Sequence, residues 1–263
     1  MTHPFRRNRF FRNTLPDANV SELGNIRSLH LGTPTIQSSM NIHNPPELVL
    51  SYSRVMMAWL LFANELPKHI TQIGLGGGSF ARWLHAYLPD THQVAVEINP
   101  QVIHIARTSF CLDFEGQNFD IVETDGAEYV QILRGNVDVM MVDGFDGVQI
   151  IDDLVGEPFF HDCRYALSGH GIFITNWWSG DKRYPLFLKR LRDVFNNRVL
   201  EFPAATHGNV AVLAFNFMPE LNIEKLKKRA DKLSDKYELD FFRMLYDAKG
   251  KNANNGKQFL FHK

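Results

Sequence analysis

The run Ile70-Thr71-Gln72-Ile73-Gly74-Leu75-Gly76-Gly77-Gly78 decides how the chain folds. A short apolar stretch that runs into four closely spaced glycines reads as a buried strand, over residues 70–75, entering a tight turn. A helix is predicted over residues 79–87. Glycines between a strand and a helix let the backbone pass close to a ligand, and the helix N-terminus favours negative or polar groups there. Taken alone, the same glycines serve equally well for close packing.

Working outward, the strand–turn–helix rhythm repeats. Strands are predicted over residues 93–98, 119–123, 137–142 and 171–176. Helices are predicted from Pro100 and over residues 126–133, 159–167 and 184–195. Proline is favoured in the first helical turn, which suits Pro100. Alternating units of this kind give an α/β fold with a mostly parallel sheet and helices on both faces. The last two strands, over 199–202 and 210–217, lie too close together for a helical crossover and are expected to pair antiparallel. Upstream, residues 1–20 read as loosely ordered. Residues 21–50 hold short extended runs, 26–31 and 49–50, broken by Gly32, Pro34, Pro45 and Pro46, as in a small β-rich lead-in. Apolar residues at helical spacing from Ser51 to Leu66 predict a helix that Pro67 stops. Residues 220–263 read as a charged helical tail packed on the domain or on a partner subunit. The expected division is 1–50, an arm and small β-rich domain; 51–219, a Rossmann-like nucleoside-binding domain; and 220–263, the tail.

The bulk numbers are those of a globular protein: 263 residues, 44% hydrophobic, 22% charged, net charge −1. That balance gives no global field for nucleic acid or an anionic membrane. Two cysteines, Cys111 and Cys163, make no disulfide framework; they are expected as buried or half-buried thiols in a reducing, cytoplasmic setting. The longest apolar stretch is far short of the ~20 residues of a membrane-spanning helix. The N-terminus is basic and aromatic (Phe5, Arg6, Arg7, Arg9, Phe10, Phe11, Arg12) but has no apolar signal core, and is read as a solvated or interface arm. The eleven histidines show no metal-ligand spacing, so no metal is expected.

Acids stand at the ends of the next three strands. Glu97 follows Gly74 by 23 residues, where a carboxylate is placed to accept from both hydroxyls of a ribose. Asp125-Gly126 ends the third strand: the acid can accept from an adenine amino group with Gly126 leaving room for the ring, or can cap the following helix. Asp143-Gly144-Phe145-Asp146-Gly147 follows the fourth, and its two acids can face one cavity. Trp177-Trp178, after the fifth strand, either lines that cavity or covers the sheet.

These segments, together with Ile36-Gln37-Ser38-Ser39-Met40, resemble the spermidine synthase (polyamine aminopropyltransferase) family, over roughly residues 20–217. The resemblance implies a methyltransferase-like Rossmann fold behind a small N-terminal β-domain, and a homodimer. It implies decarboxylated S-adenosylmethionine as co-substrate, methylthioadenosine as product, and an amine such as putrescine as acceptor. By position, Gln37 and Glu97 would hold the ribose end, Gly74, Gly76, Gly77 and Gly78 the backbone cradle, Asp125 and Gly126 the adenine, and Asp143 the attacking amine, with Asp146 as the second acid of its loop. A primary amine arrives protonated, with a pKa of about 10.4, and a carboxylate can orient it and take or relay its proton.

Three departures accompany the resemblance. Ser79 stands where the family has an aspartate that contacts the ammonium of the aminopropyl group. Asp146 is followed by Gly147-Val148-Gln149 rather than a proline and small residues. Tyr52-Ser53-Arg54 replaces a Tyr-His-Glu segment, so that Arg54 either opposes a dicationic substrate or pairs with a carboxylate. The nucleoside half is thus expected to be kept and the amine half altered. An S-adenosylmethionine-dependent methyltransferase and a non-catalytic nucleoside-binding or assembly protein remain the other readings of the residues.

Overall fold

The computed structural model describes residues 15–145 and 150–261; the basic arm through Thr14 and Asp146 lie outside the described residues. The chain opens with an antiparallel sheet of three strands, β1 (Ala18–Leu23), β2 (Ile26–Leu31) and β3 (Ile36–Asn41). The sequence predicts loose chain as far as residue 20. Strand β1 forms there nonetheless, because its six residues pair in unbroken register with β2, from Ala18 opposite Leu31 to Leu23 opposite Ile26. Its side chains are mostly exposed, so there is no apolar alternation to read.

The helix expected over residues 51–66 is shorter and tighter. Helix α1 (Ser51–Val55) passes directly into a 3-10 segment, Met56–Leu61. Every side chain from Val55 to Phe62 is buried, so this segment is enclosed on all sides rather than amphipathic. Val49 and Leu50 lie outside any strand, and Leu50 precedes α1 as its N-cap residue.

The main sheet then follows: β4 (His69–Ile73), α2 (Ser79–Tyr87), β5 (His92–Glu97), α3 (Pro100–Ser109), β6 (Phe119–Glu123), α4 (Gly126–Val130), β7 (Val137–Val142), α5 (Glu157–Ala166), β8 (Leu167–Trp178), α6 (Tyr184–Val194), β9 (Val199–Pro203) and β10 (Asn209–Phe215). Helix α4 stops at Val130, three residues before the predicted end. The strand order is β6-β5-β4-β7-β8-β10-β9. Strands β6 to β8 are parallel, and β10 runs antiparallel between β8 and β9. A sheet covered on both faces reads as an unbroken apolar run: Val139, Met140, Met141 and Val142 are all buried, and alternate residues feed two separate cores.

The C-terminal segment forms α7 (Ile223–Tyr237) and α8 (Phe241–Lys251), packed on this chain's own domain. Leu226, Ala230, Tyr237, Phe241 and Leu245 join Met56–Phe62, Phe202 and Leu213 in one buried cluster. The adjacent tryptophans divide their roles: Trp177 is 1% exposed in the core and Trp178 is 51% exposed at the cleft. Both cysteines are free; Cys163 is buried as expected, but Cys111 is exposed, on a residue with φ +53° that ends the α3 region. Among the described residues, no helix is long and apolar enough to cross a membrane.

Candidate active site

Between β4 and β7 the strand order reverses direction, the place where an open α/β sheet forms a crevice at its carboxyl ends. A cavity of about 1610 Å³ lies there. That exceeds the roughly 300–1,000 Å³ of a typical small-ligand pocket, leaving room for two substrates side by side. Its walls come from β3, α1, the glycine turn, the ends of β5 and β7, and the β9–β10 loop.

The glycines divide the work. Gly74 (φ +93°) and Gly76 (φ +52°) line the cleft. A Cβ on Gly74 would strike the carbonyl oxygen of Asp143, so this glycine lets β4 and β7 end side by side. Gly77 and Gly78 face the protein. A Cβ on Gly77 would lie 2.9 Å from both Phe110 and Ser38 Oγ, and one on Gly78 2.7 Å from Leu112. Gly126 lines the cleft, but the space that its missing side chain leaves is filled by Ile73 rather than kept open for a ring.

Glu97 ends β5 half-buried. Its Oε2 accepts from Leu75 N–H at 3.1 Å and its Oε1 from Asn99 N–H at 2.8 Å. Loss of water raises its pKa above the ordinary value, against the pull of these backbone donors. Backbone N–H groups of Gly76 and Ile98 also face this carboxylate, which lines the cleft. Asp125 caps α4, accepting from Ala127 N–H at 2.7 Å, and also lines the cleft. Helix capping and a place on the cleft wall thus coexist at this acid.

Asp143 sits at the end of β7, its backbone N–H bonded to Ile73 O at 2.9 Å. Its Oδ1 accepts from Asn176 Nδ2 at 3.0 Å, and Asn176 Oδ1 accepts from Asn209 Nδ2 at 3.0 Å. Tyr52 reaches it from α1. The phenol donates to Gln37 O at 3.0 Å and shares its hydrogen bonding with Asp143. Burial raises the Asp143 pKa, while Asn176 and Tyr52 hold it down. The same burial and the facing carboxylate push the Tyr52 phenol well up, so it stays protonated as a donor. Gln37, on β3, lines the same cleft. Glu97, Asp125, Asp143, Gln37, Gly74, Gly76 and Gly126 therefore share one cavity; Gly77 and Gly78 support it from behind.

Arg54 lines the cleft but, among the described residues, is not paired with a carboxylate: its Nε donates to Leu48 O at 2.7 Å and its Nη2 to Val49 O at 2.5 Å. Asn176, Asn209 and Ser38 were not singled out by sequence reasoning as site residues. Asn176 carried one legible signal, a polar residue at the end of a buried apolar strand, where polar groups need partners.

The spermine/spermidine synthase domain family matches residues 49–196. The polyamine aminopropyltransferase of Neisseria meningitidis serogroup A is 66% identical over 258 residues, covering 98% of both chains. A probable spermidine synthase from Corynebacterium glutamicum superposes with a TM-score of 0.71 at 16% identity, over 82% of this chain and 83% of that one. Human methyltransferase-like protein 13 in complex with SAH superposes at 0.64 with 22% identity, over 71% and 91%. The two structures share the methyltransferase-like fold. The glycine turn, the three strand-end acids and the family match over more than half its length agree: the chain belongs to the spermine/spermidine synthase family.

Proposed function

We propose that the cleft takes decarboxylated S-adenosylmethionine, ribose against Glu97 and Gln37 and adenine beside Asp125, and passes its aminopropyl group to an amine such as putrescine held at Asp143. The chain is a polyamine aminopropyltransferase, as its family and its 66% identity to a named relative over nearly full length indicate. In this reaction the amine nitrogen attacks the aminopropyl carbon next to the sulfonium. A C–N bond forms, the C–S bond breaks, and its electron pair leaves sulfur neutral in methylthioadenosine. The new nitrogen is left as a secondary ammonium, so the one proton released is that which the primary ammonium loses before attack.

The observation that carries the reading is the placing of Asp143. It is half-buried at the switch point, fixed by Asn176 and Tyr52, and backed by Gly74. An ionised carboxylate there attracts the ammonium, orients it and receives or relays the proton lost before attack. A pKa raised by burial makes it a better acceptor than a solvated aspartate. Asp146 is proposed as the second acid of the same loop. Trp178 offers an aromatic face to the alkyl chain or cation of the acceptor.

Homodimerisation belongs to this reading. Leu23, 86% exposed on β1, is apolar surface that a second copy can cover, and light scattering reads the mass directly. The activity test is release of methylthioadenosine from decarboxylated S-adenosylmethionine across a panel of mono-, di- and triamines. Release with a diamine, lost by a factor of ~10²–10⁴ in Asp143→Asn, is the expected result; full activity in that variant would remove Asp143 from the chemistry.

A further inference from the structure

Strand β8 brings Asn176 to Asp143 and continues past it. Side chains two apart on a strand share a face, so Trp178 follows Asn176 on the face that meets Asp143. Trp178 lines the cleft with Gly180, Asp181, Lys182 and Arg183. In an aminopropyltransferase this is the acceptor side, next to the carboxylate that receives the amine. The wall is a short run of turns: Asp181 N–H donates to Trp178 O at 3.1 Å and Tyr184 N–H to Asp181 O at 3.0 Å. Arg183 grips Asp181 through Nε at 3.1 Å and Nη2 at 2.8 Å. A Cβ on Gly180 would strike the Trp178 ring, and one on Gly208 would lie 3.2 Å from its Nε1. The indole therefore rests on bare backbone, and its place follows that of the turn.

The turn ends at Tyr184, the first residue of α6, and Tyr184 is fixed from behind. Its hydroxyl donates to Glu201 Oε2 at 2.6 Å. Glu201, on β9, is only 4% exposed, and its Oε1 accepts from Arg192 Nη2 at 3.2 Å. Lys251 Nζ, from α8, lies 3.7 Å from Glu201 Oε2 and 5.4 Å from the centre of the Tyr184 ring. A buried carboxylate needs such partners. Burial, and then the facing Glu201 carboxylate, push the Tyr184 phenol up, so it stays a donor. The same ring meets Trp177 edge to face, with 5.8 Å between centres. Tyr184 thus fixes both the residue before Trp178 and the end of the turn after it. Tyr184, Glu201, Arg192 and Lys251 lie behind the cleft wall rather than on it.

We infer that Glu201 is a positioning residue for the acceptor: by holding the Tyr184 hydroxyl it fixes the Trp178–Arg183 turn, and so sets how tightly the amine is bound rather than how fast it reacts. The inference rests on the aminopropyl-transfer reading, with the amine at Asp143. Asp143 itself is held by Asn176 and Tyr52, independently of Glu201, so loosening the turn leaves the reacting carboxylate in place. A wall that touches the amine equally before and during transfer contributes to KM and not to kcat. Through Lys251, the C-terminal helix becomes part of the support of that wall.

Steady-state release of methylthioadenosine by the full chain, with putrescine varied, tests this in the wild type and in Tyr184→Phe, Glu201→Gln and Leu188→Ala. Tyr184→Phe keeps the ring against Trp177 and is expected to fold; unchanged methylthioadenosine affinity reports that directly. It should raise the amine KM roughly tenfold, the scale of one lost hydrogen bond to a charged group, with kcat within about twofold of wild type. Glu201→Gln leaves a carbonyl for the phenol and should keep the amine KM within about threefold of wild type, although Tm falls with the ion pairs to Arg192 and Lys251. Leu188→Ala removes buried packing from α6 but leaves the hydrogen bond, so it should lower Tm and keep the wild-type KM. An unchanged amine KM in Tyr184→Phe, or an equal rise in Leu188→Ala, overturns the inference while turnover by the wild type leaves the transfer reading standing. Failure of the wild type to release methylthioadenosine with any amine overturns the transfer reading itself.

Discussion

Asn176 Nδ2 donates to Asp143 Oδ1 at 3.0 Å, and the Asn176 side-chain carbonyl is itself held by Asn209 Nδ2 at 3.0 Å. The end of β7 is thus tied through β8 to β10, and the Asp143 carboxylate is held by three strands rather than by its loop alone. Both amides act through Asp143 and are positioning residues in this arrangement. Asn176→Ala is expected to lower kcat by roughly 10²-fold, the cost of a misplacement of about 1 Å, with Asn209→Ala milder in the same direction. Methylthioadenosine affinity should not change, because Glu97 and Asp125 lie on β5 and next to α4. An equal loss of nucleoside affinity in Asn176→Ala would show a general collapse of the cleft instead.

The titration of Asp143 has a definite sign. Burial raises its pKa above the ordinary 3.8, and the donors Asn176 and Tyr52 oppose that rise. Removing either donor, as in Tyr52→Phe or Asn176→Ala, should therefore move the carboxyl titration further up, as read by carbon-detected NMR. A downward movement would contradict the hydrogen bonds. The linkage follows: an acid with a raised folded pKa binds more protons folded than unfolded, so its contribution to stability falls as pH rises between the two values. Above the folded pKa the charged carboxylate costs stability in the empty protein. Asp143→Asn should therefore raise Tm by roughly 2–4 °C at neutral pH, the scale of about 1 kcal/mol in a chain of this size, while abolishing turnover. At a pH below the unfolded value the difference should vanish.

The strand-end acids were legible because each ends an apolar run and is followed by a turn or a helix start. Glu97, Asp125 and Asp143 needed only chain order and period. Most of the sheet was legible for the same reason, since a buried parallel strand is a short continuous apolar run. What was not legible depends on contacts far apart in sequence. Tyr52 reaches Asp143 from 91 positions away only because the Met56–Phe62 segment is buried on every side and fixes α1 over the sheet. Strand β1 has no apolar alternation and exists through its register with β2. Gly77 and Gly126 read as room for a ligand, yet the space each leaves is taken by Phe110 and Ser38 in one case and by Ile73 in the other.

The two-sided use of the glycine turn can be separated by substitution. Gly78 combines φ +73° with a Cβ position 2.7 Å from Leu112, so Gly78→Ala meets both backbone strain and overpacking. A loss of about 2–4 kcal/mol is expected, seen as a lower Tm and as weaker nucleoside binding through displacement of α2. Gly250, inside α8, has nothing within 4 Å of its Cβ position. Gly250→Ala should stabilise the chain by about 0.5–1 kcal/mol, through helix propensity and a less flexible unfolded state. A neutral Gly78→Ala would mean that the turn relaxes freely and is not what holds the donor wall.

The C-terminal helices belong to the catalytic domain's core. Phe241 is fully buried with Phe62, Phe202 and Leu245 in one cluster, and Asn252 bridges the backbone of Glu201 on β9, accepting from its N–H at 2.8 Å and donating to its carbonyl at 2.7 Å. Strand β9 is the sheet's outer strand, so α8 also covers an edge that would otherwise be open to association. Phe241→Ala is expected to cost about 3–5 kcal/mol, roughly 10 °C in Tm for a chain of this length. Tyr246→Ala, on the 72% exposed outer face of the same helix, should stay within about 0.5 kcal/mol. Thermal unfolding followed by circular dichroism compares the two. Equal, small effects would mean that the tail folds against the sheet without stabilising it, and the chain would then keep its activity when cut after Phe217.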